Sequence, residues 1–215
     1  MLVEGDYACF TRAEIKAERY SYDILTPSAA RGILEAIYWH PQIKWVVDKI
    51  HVLNEIRFDN IKRNEVKKKI PTISKAALKG NKEIKVLDTS ITDNRTQRTT
   101  AMLRNVKYVI EAHFELKDPN ADEKKAYAMF CERARSGQCF YQPYLGFKEF
   151  AAHFRLIEEG EPIPKSFYAD EKEIDFGNML HDIIYKKDKR TSEARVFRAI
   201  MKNGIVEVPA FKGGE

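Results

Sequence analysis

Two short clusters in this chain carry side chains able to move protons and hold phosphate. "AIYWHP" places Tyr38, Trp39 and His40 at the end of a predicted helix, and "ADEKKAYAMF" places Lys124 and Lys125 at the start of another. Such residues open one reaction that needs no metal. RNA brings its own nucleophile, the 2′-hydroxyl, and asks only for a base, a cation at the scissile phosphate and an acid for the 5′-oxygen. Tyrosine, lysine and histidine can fill those roles. A lysine in a helix's first turn also adds to the pull of the helix N-terminus on phosphate. By spacing alone, a surface lysine pair is more often a solvated helix face. Trp39 reads as core or rim packing, and Tyr38, beside Ile37 and one turn past Leu34, as partly buried. "GQCFYQPYLG" sets rings on a flexible backbone, which suits stacking on unpaired bases and equally suits a structural turn.

Other chemistries leave no mark. The sequence has no phosphate-binding glycine loop, no dinucleotide fingerprint, no nucleophile elbow and no HExxH. Its five histidines lack ligand spacing, and Cys9, Cys131 and Cys139 are too scattered for a disulfide framework or zinc knuckle. We therefore expect no metal and no cofactor. A chain of 215 residues, 44% hydrophobic and 32% charged, can bury a sizeable core. No apolar run reaches membrane-spanning length and no signal peptide is legible, so we expect a cytoplasmic protein with reduced thiols and no membrane partner. The net charge of +5 is unevenly spread. Between Asn60 and Ile110 there are 13 Lys or Arg against 4 Asp or Glu, an excess of nine, which leaves −4 for the rest. A basic middle in an acidic chain fits a polyanion partner, or a solvated insert.

The elements that must position these residues follow from patterning. "MLVEGDYACFTR" reads as a strand, with Gly5 marking a bulge. "TPSAARGILEAIYWHP" is a helix capped by Thr26, with Pro27 at its first position, Ala30, Ile33, Leu34 and Ile37 on its buried face, and His40-Pro41 as its stop. "IKWVVDKIHVLN" and "EIRFDNIKRNEV" read as two strands, β-branched and aromatic, close enough to pair. Residues 67–100 are polar, basic and weakly periodic, and read as a long insertion. "VKYVIEAHFEL" alternates as a half-buried strand should. The second helix is expected to start at the cap Asn120, to bury Ala126, Tyr127, Phe130, Cys131 and Ala134, and to end at Gly137. "KEFAAHFRLI" alternates again. Only strands follow, and Asn203-Gly204 joins the last two as a hairpin. The predicted class is α+β: a modified ferredoxin-like (RRM-type) domain over 1–158 with the basic insertion, then a small antiparallel C-terminal sheet domain over 159–215.

Several stretches taken together, "EGDYACFTR", "ERYSYDILTPSAARGILEAIYWHP", "RNVKYVIEAHFEL", "RARSGQCFYQPYLGFKEF" and "MKNGIVEVP", resemble the CRISPR-associated Cas-five family in its type I-C (Dvulg) form. The likeness runs in order along nearly the whole chain. It implies the same ferredoxin-like fold and a metal-independent endoribonuclease that cuts precursor CRISPR RNA in the repeat. It implies that the protein keeps the 5′ handle and sits with backbone and large subunits in the type I-C interference complex. Contact with DNA is a further partner the resemblance allows. The family's catalytic tyrosine carries over to Tyr38 and its lysine to Lys125, with Lys124 one register step away. The family's histidine falls on Ala126, which cannot shuttle a proton, so His40 is one candidate acid. The alternative is a non-catalytic subunit that binds the handle and assembles the complex. Residues expected to meet RNA are Arg31, Lys62, Arg63, Lys67, Lys68, Lys69, Arg104, Gln138, Phe140 and Tyr141, with phosphate contacts that make binding salt-dependent.

Overall fold

A computed structural model describes residues 1–12, 14–15, 18–67, 94–185 and 192–210. Nine strands, β1 (Leu2–Ala8), β2 (Arg19–Tyr20), β3 (Ile43–Val52), β4 (Phe58–Val66), β5 (Arg95–Leu116), β6 (His153–Arg155), β7 (Ile174–Tyr185), β8 (Ser192–Lys202) and β9 (Ile205–Glu207), join in one sheet. Its order is β6-β1-β5-β3-β9-β8-β7, with β2 and β4 also on β5. All pairings are antiparallel except β2 with β5. Among the described residues two helices, α1 (Pro27–Ile37) and α2 (Glu123–Ser136), pack on the sheet.

The 22-residue β5 organises the sheet. Its second half pairs with β3, from Ile43↔Leu116 to Val52↔Tyr108, and its first half pairs with β4, from Phe58↔Leu103 to Val66↔Arg95. The expected pairing of β3 with β4 is therefore wrong: both run along one edge of β5, end to end. The expected insertion is also too wide. Residues 95–100 are strand, and the Lys67 amide donates to the Asn94 carbonyl at 2.6 Å. Residues 68–93, with Lys68 and Lys69, lie outside the described residues. Part of the basic middle thus lies on an arm, β4 with the first half of β5: β4 alternates between exposed and half-buried residues, and β5 passes from exposed and half-buried residues at Arg95–Thr99 into the buried run Thr100–Leu103.

α1 forms as its sequence predicts. The Thr26 hydroxyl accepts from the Ala29 amide at 3.3 Å, and Pro27, Ala30, Ile33, Leu34, Ala36 and Ile37 are buried. α2 starts later than expected, because the Asp118 carboxylate takes the Asn120 amide at 2.9 Å and leaves the cap to Asp122, which accepts from the Lys125 amide. It ends at Gly137 in the left-handed region, as predicted. Ala126, Phe130, Cys131 and Ala134 face the core, but Tyr127 is 62% exposed. One core joins both helices to the sheet, with Trp45 against Phe114 (5.3 Å between ring centroids) and Phe130 (4.7 Å). Gly5 marks no bulge: β1 and β5 stay in register, and a Cβ there would strike Leu145. Of "KEFAAHFRLI", only His153–Arg155 is strand.

The C-terminal strands are antiparallel, and β9 links them to β3 through Lys49↔Glu207 and its neighbours. Asn203 and Gly204, with φ of 50° and 82°, make the expected turn between β8 and β9. A second tie is the ion pair of Arg31 on α1 with Asp182 on β7, at 2.7 Å. Nearby, His181 Nε2 lies 3.0 Å from the Pro209 carbonyl oxygen, and burial lowers its pKa from the usual 6.5. A depressed folded pKa means the unfolded chain takes up the proton first. Stability from this group is present above pH 6.5 and is lost as pH falls through the lower folded value. Thermal unfolding followed from pH 7.5 to 5 should show this loss, and His181→Gln should remove that component.

Candidate nucleic-acid interface

The α1 C-terminus is where the sheet, both helices and the 137–146 segment meet. Tyr38 is the residue that closes α1, and only 9% of its surface remains exposed. Its carbonyl accepts from the Trp45 indole at 2.8 Å, so the buried tryptophan of β3 fixes its backbone. Over its ring lies the Arg133 guanidinium of α2, 5.2 Å from the centroid, and Arg133 Nη1 donates to the Ile37 carbonyl at 3.1 Å. Arg133 answers the helix's unmet C-terminal carbonyls, a need every helix end has.

Large rings surround this point in the open. Trp39 is 59% exposed, against the packing role its hydrophobicity suggested. Phe140 is 86% exposed, while its amide donates to Ala36 in the last turn of α1 at 2.8 Å. Tyr141 is 46% exposed and stands 6.1 Å from Phe140 and 6.4 Å from Tyr144 between ring centroids. Burial, chiefly, raises the pKa of the Tyr141 hydroxyl, so it is a neutral donor at physiological pH. Gln138 is exposed on the same segment. Leaving such rings in water is unfavourable by about 25 cal/mol per Å² of apolar surface, so a clustered set marks a binding surface.

The segment is held rigidly beneath. The Cys9 amide donates to the Leu145 carbonyl at 3.0 Å, and Gly146 has a φ of 87°. A Cβ on Gly146 would lie 1.9 Å from the Cys9 carbonyl oxygen. A cleft of about 300 Å³ opens between this segment and the start of α1, lined by Thr26, Ser28, Gly32, Tyr141 and Tyr144.

The two lysines stand elsewhere. Lys125 is exposed in the first turn of α2, and eight residues at 1.5 Å each put it about 12 Å along the axis from Arg133. Lys124 borders an open groove of about 490 Å³ with Trp45, Phe114, Tyr127 and Phe130. Ala126 points inward and is 7% exposed. His40 is exposed, with Nδ1 3.4 Å from the Gln42 amide. The helix end thus gathers Tyr38, His40, Gln138, Phe140 and Tyr141, but the ring of Tyr38 meets Arg133, a residue the sequence did not single out. Nothing in "CERARSG" marks that arginine apart from Arg135, which pairs instead with Glu158 at 2.6 Å.

The remaining candidates lie on the arm and on α1. Arg63 is gripped by both oxygens of Glu149 at 2.7 and 2.8 Å, and its cross-strand partner Arg98 leans on Glu65, 3.7 Å away. Lys62 points to the arm's other face, and Lys67 closes the arm. Arg104 is exposed where β5 leaves the arm. Arg31 is held by Asp182 and Glu35. Among the described residues there is no group of three or more His, Cys, Asp or Glu placed to hold a metal ion, and no helix is long and apolar enough to cross a membrane.

Comparison with known proteins places the chain in a family. The CRISPR pre-crRNA endoribonuclease Cas5d of Mannheimia succiniciproducens is 47% identical over 215 residues, covering 98% of this chain and 94% of the relative. The protein of the same name from Thermus thermophilus is 36% identical over 227 residues, covering 98% and 90%. A crystal structure of a CRISPR-associated protein superposes with a TM-score of 0.69 at 24% identity, covering 97% of this chain and 90% of that one. A chain of a CRISPR RNA-guided surveillance complex shares the fold with a TM-score of 0.52 at 14% identity, with the same coverage. The Cas5d profile of CRISPR-associated proteins matches residues 1–209, and the chain belongs to that family.

Proposed function

We propose that this chain is a pre-crRNA endoribonuclease that remains bound to its product as a subunit of an RNA-guided interference complex. The carrying observation is Tyr38, fixed at the end of α1 amid the exposed rings Trp39, Phe140 and Tyr141, in a chain of the Cas5d family. Bases stack on the rings, and the RNA backbone crosses the helix end between them. The 2′-oxygen attacks the adjacent phosphorus and the P–O5′ bond breaks. Tyr38 orients or deprotonates the 2′-hydroxyl, an acid returns a proton to the 5′-oxygen, and the products are a cyclic phosphate and a 5′-hydroxyl. His40 suits the acid: with Nδ1 accepting from the Gln42 amide, Nε2 carries the proton. Lys125 and Lys124 hold phosphate at the front of α2, and Lys62, Lys67 and Arg104 hold it along the arm, where Arg63 joins them only by exchanging Glu149 for phosphate. No metal takes part on this reading, and the site of action is the cytoplasm. The finer fold reading, a modified ferredoxin-like domain over 1–158 with the C-terminal strands appended, belongs to the same proposal.

A second reading, a subunit that binds the handle without cutting, is favoured by Ala126. An imidazole at that inward position is what the family pattern asks for, and none is there. Incubation with the host's repeat RNA in EDTA separates the two. A single cut, slowed roughly 100-fold or more by Tyr38→Phe, is expected for the enzyme. Lys125→Ala should slow it as well. Tight binding with no cut removes the enzyme reading.

A further inference from the structure

Most arginines of the described residues have a carboxylate partner: Arg12, Arg19, Arg31, Arg57, Arg63, Arg98, Arg135, Arg155 and Arg198 are all ion-paired. Arg133 has none among the described ion pairs. It is instead laid over the Tyr38 ring and tied by one donor to Ile37, which leaves most of its five N–H groups for another acceptor. It is half-buried at the end of α1, the helix end that the exposed Trp39 directly follows and to which the Phe140 amide is bonded. Resting on the reading of this chain as an endoribonuclease, we infer that Arg133 is a cation that meets the scissile phosphate.

The chemistry favours this role. The transition state gathers negative charge on the non-bridging oxygens of one phosphorus, close to the residue that handles the 2′-hydroxyl. A guanidinium offers two parallel donors to such a group, and it stays charged at every working pH. Stacking on Tyr38 also couples the two residues, since the ring and the guanidinium hold each other in place.

Single-turnover cleavage of repeat RNA by Arg133→Ala and Arg133→Lys tests this, with RNA binding and melting temperature measured beside it. The expected result is a fall of roughly 100- to 1000-fold in rate for Arg133→Ala, with affinity far less affected and partial rescue by added guanidinium ion. Arg133→Lys, which keeps the stem and the charge but loses the fork, should recover part of the rate. Wild type should also discriminate between the two phosphorothioate diastereomers at the cut site, and Arg133→Ala should lose that discrimination. A merely structural arginine would lower the melting temperature without changing diastereomer preference or responding to guanidinium. Wild-type rates in both variants, with wild-type cutting intact, overturn the role of Arg133 alone. Absence of cutting by wild type overturns the endoribonuclease reading and this role together.

Discussion

Gly146→Ala should lower stability by at least about 3 kcal/mol, a drop of roughly 6–12 °C in melting temperature for a chain of this size. Two costs add. A side chain at a φ of 87° is strained whatever surrounds it, and here the new Cβ would lie 1.9 Å from the Cys9 carbonyl oxygen. That oxygen belongs to backbone held by the Cys9–Leu145 hydrogen bond, so no flexible side chain can yield. Gly160→Ala is the control. Its φ is 82°, yet nothing stands within 4 Å of the added Cβ, so only the conformational cost applies, about 1 kcal/mol. Equal melting temperatures for the two variants would refute the close-approach argument. Because Gly146 follows the aromatic segment directly, its loss should also weaken RNA binding.

Removing Trp39 and Phe140 together should produce the largest loss of affinity. Base stacking on an aromatic ring is worth about 1–3 kcal/mol per base, so each change weakens binding about 5- to 150-fold, and the pair multiplies these factors if the sites are independent. Both rings are largely solvated, at 59% and 86% exposure, so the melting temperature should hold. Phe167, 62% exposed beside Tyr168 in the C-terminal part, gives a control ring of similar exposure. Anisotropy titrations at one fixed salt concentration measure the effect. Wild-type affinity in the Trp39→Ala, Phe140→Ala double variant would remove the helix end as the RNA platform.

What the sequence disclosed, and what it hid, divides along local and non-local physics. Thr26-Pro27, Asn203-Gly204 and Gly137 act within a few residues, and each sits where its chemistry predicts. The alternation of Val106 to Leu116 required only one buried face. "RTQRTT" has the same extended backbone, but it is polar throughout and only its last residue, Thr100, is buried, so its hydrophobicity carries no period. The pairing of β3 and β4 with one long β5 depends on contacts across the gap from 67 to 94, which local pattern cannot encode. Trp39 illustrates the reverse error: a large apolar ring reads as core or rim packing, and only the packed neighbours of α1 decide that most of it faces water. Arg133 gave no local signal, since its significance comes from a ring 95 positions earlier in the chain. The family resemblance located Tyr38 and Lys125, and it could not show that one α2 residue pointing to Tyr38 lies two turns beyond Lys125.

The position of β9 bears on how the chain assembles as it is made. It is the last of the nine strands in sequence, yet it lies between β3 and β8. Until residues 205–207 emerge from the ribosome, the β7–β8 hairpin lacks its hydrogen-bonded bridge to the rest, and one edge of β3 offers unpaired backbone groups over that stretch. Synthesis at about 5–20 residues per second makes this interval many seconds long after β3 appears. In that window the nascent chain is a sheet with an open edge, and chaperone capture or strand exchange with a neighbouring copy competes with closure.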